Sequence, residues 1–144
     1  MIRQAENRDI PVLSALAARL WPSHTAKEME ADIAETMSGA DAVFFLAFDG
    51  AAAVGFAQCQ LRHDYVEGTS SSPVGYLEGI FVDGAHRGRG IAKSLLAVCE
   101  NWAKEKGCTE FASDCALENE QSQHFHRDLG FTEAGRIVCF TKKL

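Results

Sequence analysis

Where a strand-like run ends at Val82, the chain reads Asp83-Gly84, then His86-Arg87-Gly88-Arg89-Gly90-Ile91-Ala92, and passes directly into an amphipathic helix. Glycines in such a turn let a ligand's phosphates approach the backbone closely. The first helical turn adds unpaired N–H groups and the positive end of the helix dipole. The spacing is Arg-x-x-Gly-x-Ala, neither a GxGxxG nor a GxxxxGK[ST] loop. Alone, it reads about equally well as a solvated turn. Two acids are the other chemical candidates. Glu78 falls mid-strand among apolar residues, where an unpaired charge is costly, so it either pairs internally or faces a cleft. Asp114 falls at the C-terminal end of another strand, the edge where α/β sites collect. A salt-bridge role is the competing reading of each. Such a carboxylate can act as a general base or hold a cationic group.

The elements that must position these residues can be read from periodicity. Val74–Val82 carries bulky apolar side chains on both alternating faces, as in a strand covered from both sides. Ile91, Leu95, Val98, Cys99 and Trp102 recur at three and four, one face of a helix closed by Gly107. Glu110–Cys115 reads as the next strand. A helix beginning near Leu117 follows, carrying Phe125 and Leu129 and stopping at Gly130. Upstream, Met1–Ala5 reads as a strand and Asn7 as the N-cap of a helix that runs through Leu20 and ends around Trp21-Pro22. Thr25-x-x-Glu28 is a capping box announcing a second helix up to Gly39. Val43–Phe48 and Ala53–Arg62 are strands joined at Asp49-Gly50. The polar stretch from His63 to Pro73 is too long for a tight turn and reads as a loop of the kind that carries binding groups. Thr132–Ala134 and Arg136–Thr141 read as a closing pair of strands.

The whole order, with no repeat or linker, gives one α/β domain over residues 1–144: a single mixed sheet with helices on both faces. The 144 residues carry a net charge of −6, which disfavours a nucleic-acid partner. No apolar run is long enough for a membrane span, and MIRQAENRD has no apolar signal core, so the cytoplasm is the expected compartment. The five cysteines are scattered and never in CxxC spacing, and the five histidines form no HExxH, so neither disulfides nor a metal is expected.

The strand–turn–helix around Arg87, Gly90 and Ala92 resembles the acyl-CoA-binding motif of the Gcn5-related N-acetyltransferase (GNAT) superfamily. The resemblance implies a GNAT fold whose central parallel strands, Val74–Val82 and Glu110–Cys115, splay apart to admit a pantetheine arm. It implies that acetyl-CoA is the cosubstrate. Its pyrophosphate would be held by the backbone of Arg87, Gly88, Arg89, Gly90, Ile91 and Ala92, and its pantetheine by main-chain groups of Ile80, Phe81 and Val82 and by Asn119. Phe125-His126 followed by Gly130-Phe131 is similar to the superfamily's Phe-Tyr…Gly-Phe, with His126 where the Tyr often assigned as general acid usually stands. His126 either takes over that role or packs beside the coenzyme.

The blocks RHDYVEGTSSSPVGYLEGIFV, CTEFASD and HRDLGF narrow the resemblance to the short-chain aminoglycoside 6′-N-acetyltransferases, enzymes of antibiotic resistance. This implies a drug-facing set of Trp21, His24, Tyr65, Glu78 and Asp114, and a homodimer in which the neighbour can complete the site. The expected reaction is direct attack of the amine in a ternary complex, with Glu78 before Asp114 as the proton acceptor. Backbone N–H groups near Ile80–Phe81 would stabilise the oxyanion. An acetyltransferase for another amine, such as a polyamine, and a silent acyl-CoA-binding domain remain the alternatives.

Overall fold

A computed structural model describes residues 1–144. In chain order the elements are β1 (Ile2–Gln4), a 3-10 turn (Asn7–Asp9), α1 (Ile10–Leu20), α2 (Ala26–Ser38), β2 (Ala42–Asp49), β3 (Ala52–Arg62), β4 (Val74–Val82), a second 3-10 turn (Gly84–His86), α3 (Ile91–Glu105), β5 (Phe111–Ser113) and α4 (Glu120–Asp128). The strands form one sheet in the order β1-β2-β3-β4-β5, antiparallel except for the parallel pair β4/β5.

Strand alternation sends the sheet's apolar residues to two cores. Val43, Ala57, Cys59 and Leu77 meet Leu95, Leu96 and Cys99 of α3 on one face. Phe44, Leu46 and Phe56 meet Leu13, Leu16 and Ala17 of α1 and Met29 and Ile33 of α2 on the other. Burial of these side chains at ~1.5–3 kcal/mol each is what fixes both helical layers on the sheet. The expected capping box of α2 is present: Glu28 N–H donates to Thr25 Oγ1 at 3.2 Å, and Thr25 N–H donates to Glu28 Oε2 at 3.3 Å.

Two features place the site. β4 and β5 pair only over Gly75–Leu77 and Phe111–Ser113, after which the strands part. The parallel ladder is therefore shorter than the expected Glu110–Cys115 strand. β4 also carries a bulge: Gln58 faces Gly79 and Cys59 faces Leu77, so Glu78 has no cross-strand partner. A bulge adds one residue and turns two consecutive side chains toward the same face. Here Glu78 and Gly79 both turn to the α1/α2 face.

The sequence reading is corrected at three further places. Asn7 is not the N-cap of α1; it begins the 3-10 turn, where Glu6 N–H donates to Asp9 Oδ2 at 2.8 Å and Arg3 grips the same carboxylate at 2.6 and 2.8 Å. The last helix starts at Glu120 rather than near Leu117, because Asn119 caps it by accepting from Ser122 N–H at 3.1 Å. The closing strands Thr132–Ala134 and Arg136–Thr141 do not form: Phe131 to Leu144 holds neither helix nor strand. A strand needs an edge to pair with and a surface to cover. β5 offers only three residues, and Ile137, Val138 and Phe140 are left 78%, 77% and 89% exposed. Glu133 and Arg136 instead close a local ion pair at 2.5 Å.

Candidate active site

The glycine turn is made by backbone conformation. Gly88 and Gly90 have φ of +76° and +77°, values that a side chain would strain, and Gly90 is the N-cap of α3. None of the backbone N–H groups from Gly88 to Lys93 donates to a protein acceptor. The first turn of α3 has no acidic residue to satisfy its dipole. A row of donors at a helix start with no internal counter-charge can hold a diphosphate. Arg87 is committed elsewhere, since its Nε donates to Val82 O at 2.9 Å and ties the turn to the end of β4. Arg89 is more than half exposed and only 3.5 Å from Asp49 Oδ2, a contact easily exchanged for a phosphate.

Past Leu77, the β5 side of β4 has no strand on it. Asp83 N–H bonds Val54 O across β3 at 2.8 Å. By the alternation of an antiparallel ladder, Phe81 then points its main-chain groups to β3, and Ile80 and Val82 point theirs into the gap. Of the three expected pantetheine positions, Ile80 and Val82 face the gap through their backbone, Val82 O being already held by Arg87; Phe81 contributes a side chain to the α1/α2 core. Its N–H belongs to the β3 ladder, so of the expected pair only Ile80 turns its N–H into the gap.

The acids lie on the α1/α2 face of the same gap. Glu78 pairs internally: Arg62 Nε and Nη2 donate to its two carboxylate oxygens at 2.9 and 2.8 Å, and its side chain keeps 19% exposure. The Arg62 guanidinium also lies over the Tyr76 ring, 3.5 Å from the centroid. The Tyr76 hydroxyl donates to Asp114 Oδ2. Burial, then this bond, pushes the Tyr76 phenol far above its ordinary range, so it stays protonated as the donor. The bond to Glu78 raises Arg62 further, so it stays cationic. Glu78 and Asp114 are thus joined in one network through Arg62 and Tyr76.

Trp21 supports the same face. Its ring covers Gly79, where a Cβ would come within 2.6 Å of Trp21 Cζ2, and it sits 6.0 Å from the Phe56 ring. The Trp packs as a core plug against Gly79 and Phe56. His24 and Tyr65 are not gathered into this network: His24 lies 3.6 Å from Glu28 on the surface, and Tyr65 is 76% exposed. Asn119 spends its side-chain oxygen on the α4 cap. The loop after β3 is firmly held. Glu110 Oε1 accepts from the N–H groups of Ser70 and Ser71 at 2.9 and 2.8 Å and from Ser71 Oγ at 2.5 Å, while Ser72 Oγ donates to His63 O at 2.9 Å.

His126 reaches the floor of the gap. Its Nδ1 lies 2.6 Å from Ser122 O, which can only accept, so Nδ1 carries a proton. Its Nε2 lies 2.8 Å from Ser113 Oγ, and that hydroxyl lies 3.2 Å from Leu77 O. His126 therefore spans from α4 to the point where β4 and β5 separate.

Arg62, Tyr76 and Ser113 are the site residues that sequence reasoning missed. Tyr76 and Glu78 share a face at two-residue spacing, which is a usable signal. The pairing of Arg62 with Glu78 depends on the register that sets Arg62 opposite Val74 and Gln60 opposite Tyr76, which the sequence does not announce.

This geometry agrees with what the chain is similar to. The model of the acetyltransferase (GNAT) family matches residues 10–131. The chain is 42% identical over 142 residues, 99% of its length and 98% of the relative's, to aminoglycoside N(6')-acetyltransferase type 1 of Salmonella typhimurium. Among solved structures, aminoglycoside N-acetyltransferase AAC(6')-Iy in complex with CoA superimposes with a TM-score of 0.96 at 41% identity, covering 100% of this chain and 95% of the other. AAC(6')-Iy in complex with the bisubstrate analog CoA-S-monomethyl-acetylneamine gives 0.95 at 41% identity, covering 100% and 98%. With the parted parallel strands and the donor-rich turn between them, the chain belongs to the acetyltransferase (GNAT) family, among relatives named for N(6')-acetyl transfer to aminoglycosides.

Proposed function

We propose that this chain transfers the acetyl group of acetyl-CoA to the 6′-amine of aminoglycosides, and that residues 1–144 form one catalytic domain. The observation that carries the reading is the shared gap: unpartnered donors at the start of α3 on one side, and Glu78 and Asp114 on the other. Relatives at about 40% identity, one solved with CoA and one with a CoA–aminoglycoside analog, support both the cosubstrate and the acceptor.

In this reading the amides from Gly88 to Ala92 hold the pyrophosphate, and Ile80 and Val82 guide the pantetheine into the gap. The deprotonated 6′-amine attacks the thioester carbon, and the carbonyl electrons move to oxygen, which Ile80 N–H stabilises. The oxygen's electrons then re-form the carbonyl as the C–S bond breaks. Glu78, or Asp114 in its place, takes the amine's proton directly or through water, a task worth typically ~10²–10⁴-fold. His126, aligned by Ser122 O and Ser113, is the candidate proton donor to the departing thiolate. Trp21 and Tyr65 offer flat faces to sugar rings, and His24 lies at the rim beside them.

Resistance to aminoglycosides would follow, since an acetylated 6′-nitrogen no longer carries a positive charge. The chain would act in the cytoplasm, a setting that five unpaired thiols fit. A homodimer is supported by the exposed Ile137, Val138 and Phe140, which have no surface to cover in one copy. Neither nucleic acid nor membrane is a partner in this reading. The test is mass spectrometry of the product from acetyl-CoA and tobramycin or kanamycin. Acetate on the 6′-nitrogen is expected; acetylated polyamine with untouched drug, or CoA binding with no turnover on any amine, would overturn the proposal.

A further inference from the structure

Neither acid of the cleft stands alone, and the group common to both is a cation that the mechanism above does not use. Arg62 ends β3, grips both oxygens of Glu78, and lays its guanidinium plane on Tyr76, whose hydroxyl holds Asp114. We infer that Arg62 is a positioning residue for acetyl transfer, aiming the Glu78 carboxylate at the incoming amine. The inference rests on the reading that the amine enters beside Glu78.

The geometry demands an arginine. Glu78 sits on a bulge, where no cross-strand neighbour restrains its side chain. A planar fork with two parallel donors fixes the direction of a carboxylate as well as its place, and it can stack on an aromatic ring at the same time. An ammonium on a flexible stem can satisfy the charge but not the plane. The plate beneath is itself immobilised, because Tyr76 is 5% exposed and bonded to Asp114. Charge alone argues against a simple substrate-binding role. Arg62 puts a positive group on a face meant for a polycation, so its Coulomb effect on the substrate is repulsive. Its contribution must come through orientation, and it should therefore be felt in turnover more than in drug affinity.

The test is steady-state kinetics of Arg62→Gln, Arg62→Lys, Glu78→Gln and the double variant Arg62→Gln/Glu78→Gln, with melting temperature and acetyl-CoA KM as controls for folding. Arg62→Gln should lower kcat with an aminoglycoside by about tenfold or more while KM for acetyl-CoA stays within about twofold. Arg62→Lys should recover less than half of that loss, on a logarithmic scale. In the Glu78→Gln background, Arg62→Gln should cost less than about twofold more, because the group it aims is gone. A kcat for Arg62→Gln within twofold of the parent, full rescue by Lys, or multiplying effects in the double variant would overturn the inference. If Glu78→Gln is itself harmless, the amine-site reading falls and this inference with it; if Glu78→Gln is damaging and Arg62→Gln is not, only the inference falls.

Discussion

The two sides of the β4/β5 gap are built on opposite plans. The turn from Gly88 into α3 is backbone chemistry: its donors have no partners inside the protein, and the Arg89 side chain beside them is held only loosely, by Asp49. The acid face is side-chain chemistry, with every charged group already engaged: Arg62 with Glu78, Tyr76 with Asp114. A diphosphate is bulky and identical in every acetyl-CoA, so a rigid backbone cradle suffices. In the proposed reaction an amine must be placed and deprotonated, a task for carboxylates held in direction.

Substitutions on the two sides should separate cleanly in kinetics. The largest effect is expected at Glu78→Gln, which should lower kcat/KM for the aminoglycoside by ~10²–10⁴-fold and leave acetyl-CoA affinity unchanged. A rise in acetyl-CoA KM instead would erase the division. Gly90→Val should do the reverse. It forces a β-branched residue to φ near +77°, costing roughly 1–3 kcal/mol at the cradle. The Kd for CoA should rise about tenfold or more, read by calorimetric titration.

Gly79→Ala probes the wall between them. The added methyl would meet the Trp21 ring at 2.6 Å, so either the ring swings out or β4 shifts. Overpacking of this kind costs typically ~1–3 kcal/mol; a lower melting temperature with a raised aminoglycoside KM is expected. A structural ion pair gives the contrasting case. Hydrogen bonding from Arg3, against the opposing effect of burial, draws Asp9 down from 3.8 to about 2. Because its folded pKa is depressed, its contribution is complete above pH 3.8 and drains away as pH falls toward 2. Asp9→Asn should cost roughly 1–2 kcal/mol at neutral pH, with no change in either KM, and the deficit should shrink below pH 4. The smallest effect belongs to Arg89→Ala, where an exposed, screened charge should change acetyl-CoA KM by less than about threefold, and less still at high salt.

The cradle was legible in the sequence because glycine position and helix periodicity are local properties. Gly88, Gly90 and the Ile91–Trp102 stripe predict the strand–turn–helix and its donors without reference to distant residues. The acids were half legible: Glu78 betrays itself as a charge in an apolar strand, and Asp114 as a carboxylate at a strand's end. That Glu78 pairs with Arg62 was not, because it depends on the β3/β4 register and on a partner sixteen positions away. The closing strands were misread for a related reason. Alternating Ile, Val and Phe record a readiness to pair, whereas pairing needs an edge, and β5 supplies only Phe111–Ser113. The α4 start was misplaced by taking an apolar residue, Leu117, as its first turn when the cap, Asn119, marks the start.

The central claim is that the amides opening α3 hold the diphosphate of acetyl-CoA. Titrating CoA into ¹⁵N-labelled protein tests it residue by residue. The account predicts that the largest amide shifts fall between Gly88 and Lys93, with smaller ones at Ile80 and Val82. Saturable binding that leaves those amides where they were, or no binding at all, would contradict it.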